Sequence, residues 1–159
     1  MIKQNNYFVK KQVKVEFSVT EHADFGAVDA GELKVGSYGL GVYLPDNAII
    51  TNCFYDVITT FTTAGADAGT LSLDANTAGD LKAAIAVSDA SNVYDAGLHA
   101  CLPGKYALDG NALTAIAMAA AEAGSFIKLT AERELTATLA TQDFTAGKMI
   151  IYLEYVVSE

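Results

Sequence analysis

The sequence predicts a mainly β domain, an antiparallel β-sandwich of jelly-roll type with at most one or two short helices. Three observations predict it. Val13, Val15, Phe17 and Val19 alternate with Lys14, Glu16 and Ser18, and a period of two marks a strand with one buried face. Two longer runs, 49-IITNCFYDVITTF-61 and 148-KMIIYLEYVV-157, are rich in β-branched and aromatic residues and partly apolar on both faces. Such strands belong inside a two-layer structure or at a subunit contact. Short turns of Gly, Asp and Ala separate the runs in a chain with two prolines, which is the punctuation of an antiparallel sandwich.

Taken in order, residues 1–11 are polar apart from Tyr7, Phe8 and Val9 and read as an N-terminal arm, with the sandwich spanning 12–159. After the first strand, EHADFGAVDAGEL lacks a period and reads as a crossing loop. In 35-VGSYGLGVYL-44, Tyr38, Leu40, Val42 and Leu44 share a face, while Gly39 and Gly41 leave the other nearly bare, a pattern for a bend or a close backbone approach. Pro45, Asp46 and Asn47 form a turn. Beyond it, alternation sets Ile49, Cys53, Tyr55, Val57 and Phe61 on one face, and Ile50, Asn52, Phe54, Asp56, Ile58 and Thr60 on the other.

A short strand follows at 69–74. Residues 78–89 fit a short helix or an edge strand equally, because Leu81 and Ile85 are four apart while Ile85 and Val87 alternate. A loop is expected over 91–104. The Ala-rich 111-NALTAIAMAAAEAG-124 has helical propensity and a Gly stop, although it supplies little packing volume and lies among strands. Strands are expected again at 126–130, 133–140 and 148–157. In the last, Ile151, Leu153, Tyr155 and Val157 line one face, and Ile150, Tyr152, Glu154 and Val156 the other.

Composition narrows the function. A chain of 159 residues buries roughly 70% of its extended surface on folding, enough for a core without metal or disulfide staples. Hydrophobic residues make up 52%, much of it Ala, and no run approaches the ~20 apolar residues of a membrane helix. No apolar signal core is followed by a cleavage site, so secretion is not expected. Cys53 and Cys101 are then expected as reduced thiols, Cys53 packed as a small hydrophobe. Ten basic against nineteen acidic side chains give a net charge of −9, which repels a phosphate backbone and disfavours nucleic acid. Lys3, Lys10, Lys11 and Lys14 concentrate positive charge at the N-terminus, in a segment that reads as a solvated start or as an arm meeting an acidic surface.

No catalytic constellation stands out. His99 lies two residues before Cys101, with Asp95 as a conceivable orienter, but near neighbours on a loop rarely adopt dyad geometry. Neither His22 with Glu21 and Asp24, nor His99 with Asp95, has a transition-metal spacing. Asp67, Asp74 and Asp80 do not follow the calcium-loop pattern and read as turn formers. The glycines of 36-GSYGLG-41 lack the Lys-Ser/Thr ending and following helix of a phosphate loop. No pair among the nineteen acids stands out as a glycosidase couple. Tyr94 and Tyr106, in expected loops, could stack on a sugar or simply anchor their loops. Catalytic, cofactor and metal residues are therefore set at none.

The run LPDNAIITNCFYDVITTFTTAGADAGTLSL, then DLKAAIAVSD, VYDAGLH, KLTAERELTATLA and FTAGKMIIYLEYVVS, resembles a group of small structural proteins of tailed bacteriophages. The resemblance covers roughly residues 40 to 158 in the same order. It rests on turn and strand motifs, and the N-terminal arm lies outside it. It implies a non-enzymatic β-sandwich of the virion, assembled in the host cytoplasm, either a head auxiliary or decoration protein or the base of a head fibre. Expected partners are further copies of itself, with a trimer about a capsid local axis, and the major capsid protein or another virion protein. No cofactor, membrane or nucleic acid is expected. The alternative is a glycan-binding module of a fibre or tail, with loops 91 to 106 forming the site.

Overall fold

The computed structural model describes residues 9–20, 28–29, 31–101, 107–109, 112–114 and 127–158. Regular structure among them is entirely β. In chain order the strands are β1 (Lys11–Ser18), β2 (Val28–Asp29), β3 (Glu32–Leu33), β4 (Gly36–Leu44), β5 (Ala48–Thr63), β6 (Thr70–Asp74), β7 (Lys82–Ala86), β8 (Gly97–Ala100), β9 (Ala107–Asp109), β10 (Ala112–Thr114), β11 (Arg133–Ala140) and β12 (Phe144–Val157). Two antiparallel sheets carry the fold. The first centres on β5 and β12, with β8 on the free side of β5. β1 lies beside β12 from Lys148 to Tyr155, and β3 followed by β2 lies beside its start. The second has the order β4-β11-β6-β7, and β9 with β10 forms a separate hairpin.

The sheets face each other across one apolar core, as alternation requires. Val15 and Phe17 from β1, Tyr55 and Phe61 from β5, and Met149, Ile151 and Leu153 from β12 meet Leu40, Leu44, Leu71, Leu73, Leu135 and Leu139 from the second sheet. Each such side chain contributes on the order of 1.5–3 kcal/mol when fully buried. Phe61 is central: it stacks on Phe17 with centroids 6.0 Å apart and meets Tyr94 and Phe144 edge-on, each at 6.1 Å. The Tyr94 hydroxyl donates to the Leu71 carbonyl, and that of Tyr55 to the Val93 carbonyl. Burial pushes both phenols well above their ordinary pKa, so both stay protonated as donors.

The expected faces of β12 are found. Those of β5 need a correction, because Ile50 is fully buried whereas Ile49 is half-exposed. The cause is a bulge: Glu154 pairs Asn52 but Tyr155 pairs Ile50, leaving Thr51 as an extra residue that inverts the alternation. A further irregularity pairs Lys148 with Thr59 and Met149 with Val57, around Ile58. Gly41, at φ +70°, sits in a break of the β4–β11 register between Glu134 and Thr136, and its N–H donates to the Glu134 carboxylate.

Of the two readings of 78–89, the edge strand is found, as β7 over Lys82–Ala86. Other expectations change in kind: the loop expected over 91–104 contains strand β8. The hairpin β2–β3 interrupts the expected crossing loop. The expected helix at 111–124 meets a strand at Ala112–Thr114, paired with Ala107–Asp109; cross-strand pairing prevails there over local Ala propensity. Residues 115–124 lie outside the described residues. The strand expected at 126–130 reduces to one bridge, Lys128 to Ile49, flanked by hydrogen bonds from Leu129 N–H to the Ala48 carbonyl and from Ile50 N–H to the Ile127 carbonyl. β12 begins at Phe144 because Asp143 closes the turn before it. The Asp143 carboxylate accepts from Val35 N–H at 2.9 Å and from Lys34 Nζ at 3.1 Å, and its carbonyl accepts from Ala64 N–H.

Two predictions follow from this architecture. Gly147 has φ +140°, and a Cβ there would lie 2.0 Å from the Phe61 ring. Gly147→Ala is expected to cost about 2–4 kcal/mol in urea denaturation; stability within 0.5 kcal/mol of wild type would refute the packing. The Val35 N–H and Lys34 hold the Asp143 carboxyl below its usual range. The resulting stabilisation is fully present above the ordinary carboxylate pKa and disappears as pH falls through the lower folded value. Asp143→Asn should therefore lose less thermal stability than wild type between about pH 5 and pH 3, and identical acid profiles would contradict the clasp.

Candidate interaction surface

Among the described residues, those with chemical potential do not assemble into a reactive centre. His99 Nε2 lies 2.8 Å from the backbone carbonyl of Asp95, not from its carboxylate, and the ring stacks on Tyr55 at 5.4 Å. The Cys101 thiol donates to the Leu81 carbonyl at 3.1 Å. Its contact with the Cys53 thiol and its burial raise its pKa, the reverse of what an activated nucleophile needs. Both cysteines are free thiols in the core. Glu21, His22, Asp24 and Tyr106 lie outside the described residues. Tyr94, considered above as a sugar platform, is 1% exposed, so its ring serves the core and offers no face to a pyranose.

The three aspartates hold turns. Asp80 accepts from the N–H groups of Ala75, Asn76 and Thr77 at 2.8 to 3.0 Å. Asp67 accepts from Thr63 N–H at 2.7 Å. Asp74 is buried and accepts from Ser72, Thr136, Thr138 and the Gly79 N–H, so one carboxylate ties β6 to β11 and to the turn before β7. These bonds commit both oxygens of Asp74 and Asp80 and one oxygen of Asp67 to backbone and side-chain donors. Among the described residues, no group of three or more His, Cys, Asp or Glu side chains is placed to hold a metal.

What remains is a surface. The outer face of the first sheet carries Phe54 and Tyr152 stacked at 4.9 Å, with Lys14 Nζ 6.0 Å from the Tyr152 ring centroid. Ile150 lies beside them, and Ile58 and Leu98 extend the patch toward β8, 49% and 69% exposed respectively. The pleat dictates this, because residues alternating with buried Cys53, Tyr55, Ile151 and Leu153 must point outward. Asp56 lies within the patch, opposite both Ile150 and Leu98, and further charged groups border it. Lys148 pairs with Glu16 at 2.6 Å, and Glu154 accepts from Lys10 and Gln12, each at 2.8 Å. The Lys10 and Gln12 hydrogen bonds hold the Glu154 carboxyl below its usual range. Glu154 thus fixes the base of the basic N-terminal segment to the border of this face. The alternation in the sequence pointed to a two-faced β12, but the aromatic pair depends on the β5–β12 register, which only the fold supplies.

Neither a protein-family model nor a curated protein matches the chain. Solved structures do match, over nearly the whole length of both chains. A chain in the acid-stable capsid of Helicobacter pylori bacteriophage KHP30 aligns over 96% of this chain and 91% of its own, with TM-score 0.55 and 12% identity. A chain in the capsid of Ralstonia phage GP4 aligns over 100% and 92%, with TM-score 0.57 and 15% identity. A chain in the capsid asymmetric unit of cyanophage Pam1 aligns over 99% and 91%, with TM-score 0.57 and 13% identity. At these identities the likeness is one of fold: this chain shares an end-to-end architecture with chains found in three phage capsids.

Proposed function

We propose that this protein is a non-enzymatic structural component of a bacteriophage virion, assembled in the host cytoplasm, which decorates or reinforces the head through multivalent protein contacts. The observation that carries the reading is the full-length likeness to chains from the capsids of three different phages. Coverage above nine-tenths of each matched chain argues for counterparts of similar size, so the whole molecule is compared, not a shared subdomain. Further support comes from the polar groups, which are spent on turns and strand ties. A protein that works by holding position needs this kind of rigidity.

The contacts are assigned to two places. The outer face of the first sheet, with Phe54, Tyr152, Ile150, Ile58 and Leu98, is the contact between copies, forming a trimer about a local axis of the capsid. Apolar and aromatic groups bordered by charge fit such a contact. The N-terminal segment Met1 to Gln12, basic in an acidic chain, is the tether to the major capsid protein or another virion protein, and several weak attachments at one local axis reinforce each other. The glycan-binding alternative draws no support from Tyr94, which lies in the core.

Both assignments can be tested. Phe54→Glu and Tyr152→Glu point outward and should preserve the fold while weakening self-association by at least about tenfold, read by light scattering; unchanged oligomer mass would remove this face from the contact. On particles, a labelled copy should appear many times over the head, and deletion of residues 1–12 should abolish its attachment. A few copies confined to the tail would favour the glycan reading, and full occupancy by the truncated chain would refute the tether.

A further inference from the structure

We propose that Cys53 and Cys101 form a latent cross-strand disulfide site, reduced in the folded chain and closed by a small oxidant of the peroxide class. The β5–β8 ladder pairs Phe54 with Ala100 and Tyr55 with His99, so the next rung sets Cys53 opposite Cys101. That rung is made: Cys101 N–H donates to the Cys53 carbonyl at 3.2 Å. Directly opposed residues on a hydrogen-bonded rung have Cα atoms about 5.5 Å apart, inside the roughly 4.4–6.8 Å that a disulfide spans. The two thiols are already in contact, and closing the bond draws the Cβ atoms from about 5.5 Å to the roughly 3.5–4.5 Å it needs. Both side chains lie on the core face, 1% and 0% exposed, so the two sulfurs point the same way.

The closed core protects both thiols, and the chemistry runs through local opening of β8. That strand has four residues and is hydrogen-bonded in its sheet to β5 alone among the described residues, and short edge elements open most readily. Opening removes the burial and the Cys53 contact that raise the Cys101 pKa. The thiol loses its proton, the thiolate attacks a peroxide oxygen, the O–O bond breaks, and the leaving hydroxide takes up that proton, giving a sulfenic acid and one water. On closing, the Cys53 sulfur attacks the Cys101 sulfur, the S–O bond breaks, and the hydroxyl leaves with the thiol proton as a second water. Two thiols are oxidised by two electrons in total, and one peroxide is reduced to two waters. The product staples an edge strand to the centre of its sheet and constrains the unfolded chain between positions 53 and 101. A protein that folds in a reducing compartment and later enters an oxidising one would acquire this staple after assembly. The site does not depend on the virion role.

The test uses the full chain purified under reducing conditions, freed of reductant and treated with hydrogen peroxide. The expected result is a monomer mass lower by two hydrogens, no titratable thiol after denaturation, a Cys53–Cys101 linked peptide in a non-reducing digest, and a midpoint of thermal unfolding raised by roughly 5–10 °C. Cys53→Ala and Cys101→Ala should each abolish the mass loss and the thermal shift. The wild-type mass and peptide map decide the matter even where a variant folds poorly. Two thiols that remain titratable, oxygen adducts on either cysteine, or disulfide-linked dimers would each overturn the proposal.

Discussion

The antiparallel pairing of β5 with β12 is the constraint on which the rest depends. These are the two longest strands, and their register runs from Phe144 opposite Thr63 to Val157 opposite Ala48. Apart from β2, which pairs with β3, every other strand of the first sheet attaches to one of them. Because the side-chain period is two, this single register decides which residues enter the core and which face outward. A slip of one residue would exchange Tyr55 and Ile151 for Phe54 and Ile150, so the core and the candidate interaction surface are specified together. Four register shifts along the pair adjust the pairing locally, and the positive φ of Gly147 admits the Phe61 ring where any side chain would collide.

The second sheet is tied to this pair by buried polar contacts as well as by apolar packing. Tyr94 sits between the layers, with its ring against Tyr55 and Phe61 and its hydroxyl on the Leu71 carbonyl of β6. Asp74 does similar work within the second sheet, joining β6 to β11 and to the turn before β7. Groups that a sequence reading weighs as sugar platforms or calcium ligands are thus committed to architecture. A buried donor left without an acceptor costs on the order of 1–3 kcal/mol, so these residues are not free for other roles without destabilising the fold.

Much of the fold was legible from alternation alone, because a half-buried strand has no other way to satisfy both water and core. The strands around Val15, Leu40, Tyr55, Leu139 and Ile151 are found where period two places them. What escaped sequence reasoning has identifiable causes. The Ile49–Ile50 inversion comes from a bulge at Thr51, and a bulge leaves no compositional mark when the extra residue is itself a good strand former. Residues 97–100 read as loop because Gly97, Pro103 and Gly104 resemble punctuation; their strand state comes from pairing with β5, a long-range term. Ala112–Thr114 likewise take their state from Ala107–Asp109. Of the surface, the two-faced nature of β12 was visible, but the stacking of Phe54 on Tyr152 required the cross-strand register.

The same geometry explains why a chain with nineteen acids and two histidines assembles no reactive centre among the described residues. Reactive sites in β-sandwiches commonly lie on loops that leave polar groups poised and unsatisfied. Here the polar groups of the 63–80 turns are consumed locally by Asp67 and Asp80, and His99 is held by the Asp95 carbonyl and the Tyr55 ring. Satisfied turns give short, stiff connections, which suit the proposed structural role. The apolar outer face runs against that economy. A stacked aromatic pair beside exposed Ile58 and Leu98 gains nothing from contact with water, and is best accounted for by a neighbour covering it. A face repeated identically on every copy is available to neighbouring copies about a symmetry axis, whereas the single basic segment anchored at Glu154 is suited to a partner of different composition. Under the proposed function, one sheet would carry a self-contact on its face and a foreign contact at its border, the two attachments that a protein seated on a larger shell requires.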